Sequence, residues 1–286
     1  MYQLKGGTMT YKTILAVLDK PAHALEITDH ALAIAKQFDA YVLGVHAETL
    51  ATVPLIAPME IPDPAAIEAL QAAARRETSE VERIFKDRVA REGRPADWQS
   101  FVSSAGYSAA TVLEIVRTAD LIIASQGNPD IDNRSELDNL LFDSGRPVLL
   151  VPYIIKKPQE IRRVMVAWNG SREAARATFD ALPFLKAADS VEIFCVNAPE
   201  RPDQEKDMAG VELAAALARH GVKVTLTSQE SGGVTAATAI ANRLSDNSVD
   251  LLVMGAYGTS RWWEMLFGGV TRSMLETMTA LSLMSR

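Results

Sequence analysis

A chain of 286 residues that is 48% hydrophobic can bury one large core or two ordinary ones, and its length favours two. A net charge of −7 with a pI near 5.2 excludes a non-specific nucleic-acid binder, which needs clustered Lys and Arg against the phosphate backbone. The single Cys195 excludes an internal disulfide and a cysteine-based metal cluster, and no run of eighteen apolar residues is present to insert in a membrane.

Residues 1–10 are polar and glycine-containing and read as an N-terminal extension without the apolar core of a secretory signal, its first eight residues expected to have no structural task. Short β-branched runs then alternate with longer helical patterns, the sign of a parallel sheet with helices on both faces. The first set of strands is Thr13–Leu18, Tyr41–Ala47, Gln99–Ser103, Leu121–Ala124 and Val148–Val151. Its first helix spans Ala24–Phe38, with Leu25, Thr28, Leu32 and Ala35 on one face. Thr49–Ala66 carries Pro54, Pro58, Pro62 and Pro64 among apolar residues, an irregular cover for the sheet or the lining of an apolar pocket. Pro152, Lys156, Lys157 and Pro158 break the pattern as a short linker. The second set is Arg163–Trp168, Ser190–Val196, Lys223–Thr227, Leu251–Met254 and Ser282–Ser285, with helices over Arg172–Leu185, capped by Ser171, and over Val270–Met278.

The two sets are copies of one unit. Gly106–Thr111 (GYSAAT) aligns with Gly233–Thr238 (GVTAAT) at an offset of 127, and each leads through a helical stretch to an Asp and an apolar strand, Asp120–Ala124 and Asp250–Met254. The copy starts are alike as well, Lys12–Asp19 (KTILAVLD) and Arg162–Asn169 (RRVMVAWN). The expected domains are therefore residues 11–155 and 156–286, joined head to tail as an intramolecular pseudo-dimer through the terminal strands Val148–Val151 and Ser282–Ser285.

Directly after the strand Leu251–Met254, the second copy reads GAYGTSRWWEMLFGGVT over Gly255–Thr271. Glycines at 255 and 258 let backbone N–H groups approach a ligand. Gly268 and Gly269 open a helix whose unpaired N–H groups and positive dipole end suit a phosphate chain. Gly-x2-Gly-x9-Gly at this point resembles the nucleotide-binding members of the universal stress protein family, and the resemblance extends over nearly all of residues 11–286. Gly255, Gly258 and Gly268 match; Gly269 stands where Ser or Thr is usual, with Thr271 offering a hydroxyl two residues on.

The resemblance implies two doubly wound, open parallel-sheet α/β domains in tandem, Rossmann-like and packed together. It also implies a stress-response regulatory protein that binds ATP, or AMP or ADP, with Mg accompanying the phosphates. Asn169 and Ser171 at the first strand's end, Val196 and Asn197 at the second, and Gly255, Gly258, Gly268, Gly269, Val270 and Thr271 at the fourth would hold it. Asn169 replaces the family's usual Asp, so a metal contact through this residue is not expected. Arg261 and Arg272 flank the loop, either as phosphate partners or as solvated side chains. Trp262 and Trp263 are about 100° apart on a helix, so one of them is expected to be exposed, against a neighbouring surface or as a lid.

In the first copy Ser125 and Asn128 fall at the positions of Gly255 and Gly258, and 135–141 supplies no second glycine pair. That copy keeps the acid, Asp19, but reads as a degenerate partner without a phosphate loop. His23, His30, His46 and His220 lack metal-ligand spacing and read as helix-surface residues; Cys195 reads as strand packing. No Gly-x-Ser-x-Gly elbow, Cys–His pattern or Walker lysine is present, so at most weak ATP hydrolysis is expected. The rival readings are a slow adenine-nucleotide hydrolase, which would show a placed acid near the loop, and a nucleotide-free interaction scaffold. A cytoplasmic protein, monomeric or homodimeric, with an unidentified regulatory protein partner, completes the expectation.

Overall fold

The computed structural model describes residues 10–50, 63–104, 113–127, 135–196, 210–256 and 269–286. They form two compact units, one of Lys12–Arg146 with Lys156–Pro158, the other of residues 10–11, Pro147–Ile155 and Gln159–Arg286.

The first unit contains β1 (Thr13–Val17), α1 (Pro21–Phe38), β2 (Tyr41–Leu50), α2 (Pro64–Glu92), β3 (Ala96–Ser104), β4 (Leu121–Ser125) and α3 (Ser135–Asp143). Its strands lie in the order β3-β2-β1-β4, all parallel. β4 is buried from Leu121 to Ala124, as a parallel strand covered on both faces must be. Helix α1 starts at Pro21, whose fixed φ suits a first helical position, and ends at Asp39 in the left-handed region with φ 52°. Its buried stripe runs through Ala24, Ile27, Thr28, Ala31, Leu32 and Ala35, so Thr28, Leu32 and Ala35 share a face as expected. Leu25 does not; one position off that stripe, it is 49% exposed. Helix α2 corrects the reading of Thr49–Ala66 as one loop. Thr49 and Leu50 extend β2, while Asp63 accepts a hydrogen bond from the Ala65 N–H and Pro64 takes the first helical position. Residues 51–62 lie outside the described residues. Phe85 of α2 rests on Gly44 of β2, where a Cβ would come within 2.8 Å of the ring.

The second unit contains β5 (Val148–Val151), β6 (Arg163–Ala167), α4 (Arg172–Asp180), α5 (Leu182–Ala187), β7 (Ser190–Val196), α6 (Val211–Arg219), β8 (Val224–Gln229), α7 (Ala236–Asp246), β9 (Leu251–Gly255), α8 (Gly269–Glu276) and β10 (Leu281–Ser285). The strand order is β5-β10-β9-β6-β7-β8. β5 and β10 run antiparallel, with Leu150 opposite Ser282 and Val148 opposite Met284; the other pairings are parallel. The two strands on which the expected domains would end thus pair with each other, within one unit. The single helix expected over Arg172–Leu185 is two, because Pro183 has no N–H to donate and its ring crowds the carbonyl one turn back; α4 stops at Asp180 and α5 restarts at Leu182.

The repetition extends to a shared device at the amino ends of the strands. Asp120 Oδ2 accepts from the Lys12 and Thr13 N–H groups at 2.8 and 2.9 Å, and Asp250 Oδ2 accepts from Arg162 and Arg163 at 2.9 and 2.7 Å. In each repeat this carboxylate ties the first strand to the start of the fourth. The second unit adds a clamp of its own. Glu192 on β7 accepts from Thr227 at 2.6 Å, from Arg243 of α7, and from Asn247 at 3.0 Å. Burial pushes its carboxyl upward, but these bonds together hold it below the usual carboxylate range.

Two histidines correct the helix-surface expectation. His30 is 1% exposed inside α1, with Nδ1 on the Glu26 carbonyl at 2.7 Å and Nε2 buried without a partner. His46 lies on β2, buried, with Nδ1 on the Leu18 carbonyl at 2.6 Å. Polar residues on an amphipathic pattern were placed outside by their type, while the backbone carbonyl each ring reaches lets it be inside. Cys195 is strand packing, and burial pushes its thiol up to about 11, which leaves it unreactive at neutral pH.

Candidate functional site

In the second unit β6 has β9 on one side and β7 on the other. The chain leaves β6 toward β7 and later returns across it to β9, so connections diverge above the carboxyl ends of β6 and β9. Open α/β sheets form their ligand crevices at this switch point. Asn169 and Ser171 follow β6, Val196 closes β7 and Gly255 closes β9, so the topology brings these four to one edge of the sheet. Gly269, Val270 and Thr271 form the first turn of α8. Asn197, Gly258 and Gly268 lie outside the described residues, as do Arg261, Trp262 and Trp263.

The turn after β6 is tightly specified. Gly170 has φ +74°, a backbone shape that side chains rarely allow. Asn169 Oδ1 accepts from the Ser171 N–H at 3.0 Å, and Ser171 Oγ accepts from the Ala174 N–H at 3.1 Å, capping α4 as expected. The Asn169 oxygen is therefore engaged within the turn, while its amide nitrogen can donate to an acceptor on a ligand.

Gly255 has a structural reason to be glycine. A Cβ there would lie 2.5 Å from the Ala174 nitrogen, 2.7 Å from the Glu173 carbonyl carbon and 2.8 Å from the Glu173 Cβ. The first turn of α4 thus rests on the bare backbone at the end of β9. The next N–H, of Ala256, donates to the Ser285 carbonyl at 2.8 Å and is not available to a phosphate. Gly269 is the opposite case. It is exposed, its φ is not positive, and no described atom lies within 4 Å of where its Cβ would be. Thr271 is buried in the same turn. Arg272 donates to Glu276 one helical turn on at 3.2 Å and is 78% exposed, which is the geometry of a solvated surface pair.

Sequence reasoning missed Glu173. It is 4% exposed, sits in the first turn of α4 against Gly255, and accepts from Arg172 Nε and Nη2 at 3.0 and 2.8 Å. Its signal was an acid in the first helical turn after a Ser cap, which favours a helix start but does not announce burial. In the first repeat two side chains at the matching edge make local bonds. Asp19 accepts from its neighbour Lys20 N–H at 2.9 Å and lies 3.6 Å from His23 Nδ1, and Ser125 Oγ accepts from the Gly127 N–H at 3.0 Å. Asn128 lies outside the described residues.

Residues 160–280 match the model of the universal stress protein family. No curated protein matches the chain. Among solved structures, a universal stress protein from Archaeoglobus fulgidus DSM 4304 is similar with a TM-score of 0.70 at 16% identity, covering 96% of each chain. A candidate universal stress protein from Pseudomonas aeruginosa UCBPP-PA14 gives 0.61 at 15% identity over 96% of this chain and 93% of that one. A protein of unknown function from Pseudomonas aeruginosa PAO1 gives 0.56 at 14%, over 96% and 92%. At these identities the likeness is one of fold, and it spans both repeats.

Proposed function

We propose that this chain, whose residues 160–280 match the model of the universal stress protein family, is a stress-response regulatory protein that holds one adenine nucleotide in its second repeat. The ligand is ATP, with ADP or AMP as alternatives and Mg carried on the phosphates, and the protein acts in the cytoplasm through a protein partner. The nucleotide lies over the switch point, its adenosine part toward Asn169, Ser171, Val196 and Asn197. Its phosphates lie toward Gly255, Gly258, Gly268, Gly269, Val270 and Thr271.

One observation carries the reading. Glycine at 269 is required neither by φ nor by the packing of any described atom, yet it stands at the first position of α8, where the positive end of the helix dipole suits a phosphate. Gly255 does not carry it, since α4 already accounts for its missing side chain.

The test is mass spectrometry of whatever is released from the purified protein, followed by calorimetry with ATP, ADP and AMP. One adenine nucleotide per chain is expected. Two equivalent sites, or no binding of any of the three, would overturn the reading, and steady phosphate release would move it to the hydrolase class.

A further inference from the structure

A guanidinium stands at the rim of the crevice, and the glycine pattern does not assign it. Arg172 opens α4 directly after the turn that carries Asn169 and Ser171, and its side chain is 84% exposed. Neighbouring residues on a helix do not face each other, yet Arg172 donates through both Nε and Nη2 to Glu173 Oε1. The long side chain is therefore folded round toward its neighbour. Glu173 is the residue whose Cβ packs on Gly255, at the end of β9. The guanidinium is thereby tied to the residue that packs on the end of β9, with further N–H groups beyond the two spent on Glu173.

The pair has an electrostatic logic. Glu173 is buried in the first turn of α4, where the helix dipole is positive. A bare carboxylate beneath a phosphate-binding edge would repel the ligand, and Arg172 covers it. Removing Arg172 does two things at once, taking away a cation and uncovering an anion. Both penalties grow with the number of charges on the ligand.

We propose that Arg172, aimed by Glu173, is the residue through which the second repeat reads the number of phosphates on its nucleotide. This deepens the nucleotide reading and rests on it. Arg172 is the specificity-determining group; Glu173 is a positioning residue that acts through it.

The experiment is calorimetry on the full chain with adenosine, AMP, ADP and ATP at low salt, for the wild type, Arg172→Gln, and Arg172→Gln combined with Glu173→Gln. Wild-type affinity is expected to climb with phosphate number. Arg172→Gln flattens the climb, losing about tenfold for ATP and leaving adenosine unchanged. In the double variant the ATP loss shrinks, because no uncovered carboxylate remains, a coupling that a purely structural role would not produce. An equal loss for all four ligands, or an unchanged climb in Arg172→Gln, overturns the proposal while the nucleotide site stands. A wild type that binds none of the four overturns both.

Discussion

The contact between Gly255 and α4 makes Gly255→Ala a demanding test of the packing. The added methyl would sit 2.5 Å from the Ala174 nitrogen and 2.7 Å from the Glu173 carbonyl carbon. Both are backbone atoms, so no side chain can swing aside. The helix must lift or the strand end must bend, and forcing one methyl into a packed interior costs about 1–3 kcal/mol. Replacing glycine also narrows the unfolded chain, returning about 0.4–1 kcal/mol. The expected net loss is on the order of 1–2 kcal/mol. Hydrogen exchange on the ligand-free protein locates it: amides in Arg172–Asp180 should exchange faster, while those of Pro21–Phe38 in the other unit serve as an internal reference. Unchanged protection in α4 would show that the close approach is not there, and Gly255 would then need a ligand to explain it.

Gly269→Ser meets no described atom, so it should leave stability within about 0.5 kcal/mol and add a hydroxyl donor at the helix start, tightening ATP by about tenfold; calorimetry showing weaker binding would mean that the added side chain obstructs the phosphate. His30 is held below the ordinary histidine value of 6.5 chiefly by burial, against the opposing pull of the Glu26 carbonyl and of Asp29 and Glu26. The unfolded chain therefore takes up the proton first, so stability is retained above about 6.5 and falls as pH drops through and below it; His30→Leu should flatten that part of a urea midpoint against pH profile. Glu192→Gln should cost about 1.5–3 kcal/mol at pH 7, as Arg243, Thr227 and Asn247 lose a charged acceptor. Because the Glu192 carboxyl is held below its ordinary value of 4.5, the wild-type advantage is present above that pH and fades as pH falls below it.

The repeat and the parallel sheets were legible because both rest on pattern. Runs such as Leu251–Met254 are apolar because both faces of the strand are covered, and Asp120 and Asp250 recur because the same clamp closes both repeats. What escaped notice depends on contacts distant in sequence. Nothing in GSREAA says that the glutamate, rather than the arginine beside it, turns inward to meet Gly255. Nothing in DHALAI separates a surface histidine from one that finds a carbonyl inside the helix. The start of α2 was hidden for a different reason: Pro64 belongs to a proline cluster whose other members suggest a loop, while its own position after Asp63 is a helix start.

The antiparallel edge between β5 and β10 also sets a timetable for folding. Val148–Val151 is synthesised before β6, yet its partner Leu281–Ser285 follows β9 in the chain. Val148–Val151 must wait for this partner while the rest of its unit is made. A contact spanning so much sequence is slow to form and leaves an interval in which another strand can take its place. A peptide with the sequence VLLV, present during refolding, should compete for β10. The rate at which the native edge closes should then be the step that separates orderly folding from chain-to-chain pairing.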